Sequence, residues 1–188
     1  MLMYRSKSVI ISSFLIIIFF GCSNPRLIHS ESVPGENLSA YKTFDFYTTE
    51  TAGDMLTKEF SEVIPKLENT IALQMQKYGY LMTKTDPDLL INIGLVVDEK
   101  VQTRQTDFRR DTPQYIGQRR YSWKSEEVEV SRYKQGTVTV DLVDRKQNKM
   151  VWNATVQDVL PTKASKLDKS IKDGVEKLFE RFPVQKIN

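Results

Sequence analysis

Cys22 is the only cysteine in a chain of 188 residues. No disulfide can form within the chain, so any compact domain must rest on a buried apolar core. What precedes Cys22 indicates how that residue is used. Arg5 and Lys7 form a short positive stretch, and residues 9–20 are apolar apart from Ser12 and Ser13. Such a run is too short to span a hydrocarbon core, which takes roughly 20 residues. It suits the apolar part of a secretory signal, about 7 to 15 residues long.

Phe19-Phe20-Gly21-Cys22 resembles the lipobox of bacterial lipoproteins, with Phe19 standing where that motif usually has Leu. The resemblance implies a diacylglyceryl group on the Cys22 thiol, cleavage before Cys22, and acylation of the new amino group with a chain such as palmitate. One acyl chain holds only marginally at about 0.8 kcal/mol per buried methylene, whereas two or three hold lastingly. The expected organisation is a signal peptide over 1–21, a lipidated tether over 22–39, and a single domain over 40–188. The prolines, glycine and polar residues of 23–39 suit a tether, with Leu27-Ile28-His29 a candidate short strand inside it. Ser23 stands where an Asp would retain an enteric lipoprotein in the inner membrane, and no acidic cluster follows Cys22. The expected location is therefore the outer membrane, on its periplasmic face rather than the cell surface.

Removing residues 1–21 takes away two basic and no acidic residues, so the formal charge falls from +3 to +1. A nucleic-acid partner calls for a strong positive excess, so this class is set aside. With 40% hydrophobic and 27% charged residues over the full sequence, the chain has the composition of an ordinary globular domain.

Along that domain, YKTFDFY (41–47) alternates as a strand. Ile64, Leu67, Ile71, Met75 and Tyr78 form a helical stripe, with Pro65 in its first turn and Gly79 just past its end. A short strand is expected at 80–83. In 88–97, Leu89, Ile91, Ile93, Leu95 and Val97 share one face of a central strand. Val128 and Val130 open another strand, Gln135-Gly136 reads as a turn, and Val138, Val140 and Leu142 continue beyond it. The polar run 144–149 turns into Met150, Trp152, Ala154 and Val156 at period two. Ser165 and Asp168 resemble a capping box before a helix striped by Leu167, Ile171, Val175, Leu178 and Phe182. These elements predict an α+β fold: a mostly antiparallel sheet with two amphipathic helices on one face, a two-layer sandwich.

YKTFDF (41–46), KYGY (77–80), DPDLLIN (86–92), GTVTVDLVD (136–144) and MVWNATV (150–156) together resemble the domain-of-unknown-function 4136 family of bacterial envelope lipoproteins. The resemblance implies an envelope lipoprotein of unassigned activity and brings no catalytic residue with it.

No catalytic, metal or cofactor motif is visible in the sequence. The eight glycines are never closer than fourteen residues apart, which excludes Walker and dinucleotide-binding loops. His29, the only histidine, lies in the tether. Asp141 and Asp144 are three apart on a strand and so point to opposite faces, an unfavourable start for a glycosidase pair. The segment between the two long strands is the most distinctive. Arg104, Arg109, Arg110, Arg119 and Arg120 alternate there with Phe108, Tyr115, Tyr121 and Trp123. Arginine with aromatic residues grips anions and stacks on sugars, so an envelope protein, a glycan or an anionic lipid is the expected partner, alongside the membrane held by the acyl chains on Cys22. The leading expectation is a non-enzymatic binding or scaffolding module. The alternatives are a carboxylate-dependent glycan hydrolase and a carrier of lipid or another small apolar ligand, the last requiring a sizeable apolar cavity between sheet and helices.

Overall fold

Leu89, Ile91, Ile93, Leu95 and Val97 are all buried while the residues between them are not, the alternation a half-buried strand requires. The computed structural model describes residues 24–53, 62–107, 111 and 124–187. The signal stretch 1–21, Cys22, and Arg109, Arg110, Tyr115, Arg119, Arg120, Tyr121 and Trp123 lie outside the described residues.

Six strands form one open sheet: β1 (Arg26–Ser32), β2 (Thr43–Gly53), β3 (Leu81–Met82), β4 (Leu89–Gln105), β5 (Glu127–Asp144) and β6 (Lys149–Val159), in the order β1-β6-β5-β4-β2-β3. β1 with β6, β6 with β5, and β5 with β4 are antiparallel. β2 is parallel to both β4 and β3. Helices α1 (Val63–Lys77) and α2 (Leu167–Leu178) share one core cluster with the sheet, giving the expected α+β architecture.

The α1 stripe packs as its spacing predicts, with Leu67, Ile71 and Met75 buried. Gly79, at φ +88°, takes the left-handed conformation that ends a helix without a Cβ penalty. At the far end of α2, Trp152 meets Phe179 and Phe182 with ring centroids 5.3 and 5.0 Å apart, and Phe182 meets Tyr78 at 4.8 Å. All four are buried, Trp152 and Phe179 completely, and a large apolar side chain buried in this way contributes about 1.5–3 kcal/mol of transfer free energy.

Five details differ from the sequence reading. The candidate strand at 27–29 is part of β1, which pairs with β6 along its length but for a bulge between Leu27 and His29, and Leu38 is buried in the core, so the stretch read as a tether belongs largely to the domain. The sheet therefore begins at Arg26. Gln135-Gly136 is not a turn, since β5 runs straight through it. A Cβ on Gly136 would stand 2.9 Å from Leu160 Cδ2, so this glycine admits a close neighbour. In β6 the register slips between Met150 and Trp152, opposite Val143 and Leu142 of β5, so Val151 is buried and Met150 is 46% exposed. The capping box is absent: residues 164–166 form a 3-10 turn without a side-chain cap, and Asp168 pairs with Lys66 at 2.7 Å. Finally, α2 stops at Leu178 and a 3-10 turn follows, which buries Phe179 as well as Phe182.

Candidate functional site

Among the described residues, the ladder has no further neighbour past Val97 on β4 and Gln135 on β5, where Gly53 of β2 is the last partner opposite Val97 and Val159 of β6 the last opposite Gln135. Among the described residues, 98–105 and 127–135 continue from there as a ladder of their own, with Gln135 still opposite Val159 at its root, forming a two-stranded arm whose strands are joined by the arginine-rich segment. Val101 and Val130 are 48% and 54% exposed on it. A bulge between Gln102 and Thr103 leaves Val130 outside the register. Arg132 ties the two strands together, reaching Glu99 at 3.7 Å and Glu129 at 2.6 Å.

Of the candidate binding residues, Arg104 is the one placed among the described residues, and it is already engaged. Its guanidinium forms a two-pronged bond with Asp111, 2.6 Å on each side, and Asp111 also accepts the Asp107 N–H at 2.8 Å. The hydrogen bond to Asp111 raises the Arg104 pKa further, so this arginine holds the root of the segment in shape. No sequence pattern marks that partnership, because residues seven apart stand two turns from each other on a helix and on opposite faces of a strand, and so would not touch in either.

The two aspartates considered for hydrolysis are committed elsewhere. Asp141 accepts the Asn153 side-chain N–H across the β5–β6 register. Asp144 is buried and accepts the Lys146 and Gln147 backbone N–H groups at 2.8 Å each, the Tyr41 hydroxyl at 2.9 Å and the Gln147 amide at 3.2 Å. Those bonds, the Gln147 N–H first among them, hold its pKa below the ordinary carboxylate value against the opposing effect of burial. His29 is half exposed beside Glu31 at 3.5 Å. Among the described residues, no group of three His, Cys, Asp or Glu side chains is arranged to hold a metal ion.

Asp144 belongs to a larger polar knot at the end of the sheet opposite the arm. Asp88 accepts the backbone N–H groups of Lys42 and Thr43 at 2.8 and 3.1 Å, and its own N–H donates to Thr43 Oγ1 at 2.9 Å. Tyr80 donates to the Leu38 carbonyl at 2.8 Å. Arg145 reaches the Pro87 carbonyl at 3.0 Å and pairs with Asp86. Four of the five sequence motifs named above therefore meet here, in bonds that join β2, β4 and β5.

Between sheet and helices lies an apolar cleft lined by Leu67, Leu95, Val138, Val156, Ile171 and Gly174, with Asp158 and Ser170 among its few polar neighbours. Ser170 donates to Asp158 at 2.9 Å. The cavity measures about 50 Å³, against the roughly 150 Å³ of one that admits a benzene ring. It is too small to enclose an acyl chain.

Fold and site together define an open-sheet α+β domain with a projecting β-arm. The profile of the domain of unknown function DUF4136 matches residues 29–184, and the chain belongs to that family. No curated protein matches it. Among solved structures it is similar to a PDZ domain protein from Parabacteroides distasonis, with a TM-score of 0.51 and 14% identity over 88% of this chain and 38% of that one. It thus spans well under half the length of that protein. It is also similar to the PelC dodecamer from Paraburkholderia phytofirmans, with a TM-score of 0.45 and 13% identity over 82% of this chain and 94% of that one. At such identities the first likeness speaks for the fold alone.

Proposed function

We propose that this chain is a lipid-anchored envelope protein of the outer membrane, facing the periplasm, whose domain binds or scaffolds another envelope component without catalysing a reaction. The observation that supports this reading is the arm: among the described residues, a ladder extended past its own sheet gains no core, and the arginine and aromatic segment is the connection between its two strands. Two-stranded ribbons are only marginally stable alone, so such an extension is better explained by contact than by folding. The lipobox-like run ending in Cys22 supports the anchor. The full commitment of Asp141 and Asp144 to structural hydrogen bonds weighs against hydrolysis.

The test is crosslinking in intact envelopes followed by recovery of the lipidated protein. The wild type is expected to bring down a specific crosslinked species, and the variant with Arg109, Arg110, Arg119 and Arg120 replaced by Ala is expected to lose it. Undiminished recovery would remove the segment from the interaction. For the anchor, Cys22→Ser should release the protein from membranes and end fatty-acid labelling, and persistent labelling would refute lipidation.

A further inference from the structure

The start of β1 and the root of the arm lie at the same end of the sheet. Arg26 is in register with Gln157, Gln157 with Thr137, and Thr137 with Val96. Arg26 thus stands level with the last residue before the arm's root at Val97. β1 is antiparallel to β6 and β6 to β5, so β1 runs in the same sense as β5. Followed backwards from Arg26, its line therefore leaves the domain in the direction in which the arm projects.

Two lengths then compete. Three residues, and so four Cα–Cα steps, lie between Cys22 and Arg26, which covalent geometry limits to at most about 14 Å. From Val96 to Gln105 the arm advances nine residues, about 30 Å at strand rise. Sheet twist of about 20–25° per strand leans the arm roughly 45–70° away from β1, leaving about 10–20 Å of reach along β1. At full extension the tether thus falls within the range of the arm's reach, and short of full extension it drops towards or below the lower end of that range. The lean presents the arm's flank, rather than its end alone, to whatever surface holds Cys22.

We infer that the arm formed by 98–105 and 127–135 lies against the phospholipid surface in which the chain is anchored. This rests on the proposed lipid anchor at Cys22. The chemistry of the described arm fits the headgroup zone: Val101 and Val130 are exposed among four acidic residues (Asp98, Glu99, Glu127, Glu129) and four basic ones (Lys100, Arg104, Arg132, Lys134). With its charges balanced, this contact is set by tether length and depends little on the anionic lipid content.

The test uses the lipidated full chain in vesicles of phosphatidylethanolamine and phosphatidylglycerol. With the Cys22 sulfur acylated, Gln102→Cys and Lys146→Cys each introduce a single free thiol for an environment-sensitive dye, one on the arm and one in the turn at the opposite end. A headgroup quencher is expected to quench the dye at position 102 several-fold more strongly than that at 146. Inserting about twenty Gly and Ser residues between Asn24 and Pro25, a tether of roughly 25–30 Å root-mean-square span, should bring the two to the same level. Equal quenching in protein that floats with the vesicles overturns the arm contact and leaves the anchor standing. Protein that does not float overturns the anchor, and the contact with it.

Discussion

Tyr41 donates its hydroxyl to Asp144 at 2.9 Å across 103 positions of sequence, tying the approach to β2 to the end of β5. The same carboxylate receives two backbone N–H groups of the turn that follows. Removing it would leave four donors without that partner in a part-buried setting, each costing about 1–3 kcal/mol less what water recovers. Asp144→Ala is therefore expected to destabilise the mature domain by about 2–4 kcal/mol and Tyr41→Phe by about 1 kcal/mol. Urea unfolding checks both: the midpoint should fall at an unchanged slope, and a midpoint for Asp144→Ala within error of the wild type would sink the idea of a structural role.

The same knot sets a pH dependence. Asp144 and Asp88 both titrate below the ordinary carboxylate value, Asp144 chiefly through the Gln147 N–H and Asp88 chiefly through that of Lys42. A depressed carboxylate contributes stability that is present above its unfolded value, near pH 4, and is lost as pH falls through the folded value. Tyr41 behaves in the opposite sense. Burial and the Asp144 bond push it up to about 12, so its contribution is present below about pH 10 and lost as pH rises through about 12. Melting temperatures should accordingly hold between pH 5 and 9 and drop below about pH 4. The acid drop should shrink in an Asp88→Asn, Asp144→Asn double variant once its lower baseline is subtracted. An undiminished acid drop would place the acid sensitivity elsewhere.

The parts of the fold that sequence made legible are those that bury a face. Leu89 to Val97 and Leu67 to Met75 show their periods because each second, or each third to fourth, residue enters the core. The arm was illegible for the complementary reason. DEKVQTRQ (98–105) has no core to face, so it loses the alternation while keeping the ladder. The candidate site shares that blindness: the sequence sets Arg104 among the anion-gripping arginines, whereas the bent chain pairs it with Asp111. The motif positions, by contrast, were visible as a pattern, but their meaning was not. Tyr41, Asp88 and Asp144 gather as hydrogen-bond partners, which marks the signature as one of folding.

The N-terminus of α2 tests a local signal that tertiary packing overrode. Ser165 and Asp168 have the spacing of a capping box, whose loss costs about 0.5–2 kcal/mol where it forms. Here Ser165 lies inside a 3-10 turn and caps nothing, while Asp168 reaches across to Lys66. Ser165→Ala should therefore stay within about 0.5 kcal/mol of the wild type. A loss of 1 kcal/mol or more in chemical denaturation would restore the cap.

Two glycines on the walls of the apolar cleft should respond to the same substitution with opposite signs. Gly136 has Leu160 Cδ2 at 2.9 Å and Cγ at 3.3 Å from the position a Cβ would take, whereas a Cβ on Gly174 would meet nothing within 4 Å. Gly136→Ala forces the Leu160 side chain to shift against the core and is expected to cost about 1 kcal/mol, at the low end for overpacking because the clashing atoms belong to a side chain. In a Leu160→Ala background that clash is gone and most of the cost should vanish, a coupling a double-mutant cycle reads directly. Gly174 sits in the interior of α2, where glycine is worse than alanine by about 0.5–1 kcal/mol. Because the cleft has room for the methyl, Gly174→Ala should stabilise the domain by about that amount. If both substitutions destabilise equally, the cleft is more tightly packed than these distances indicate.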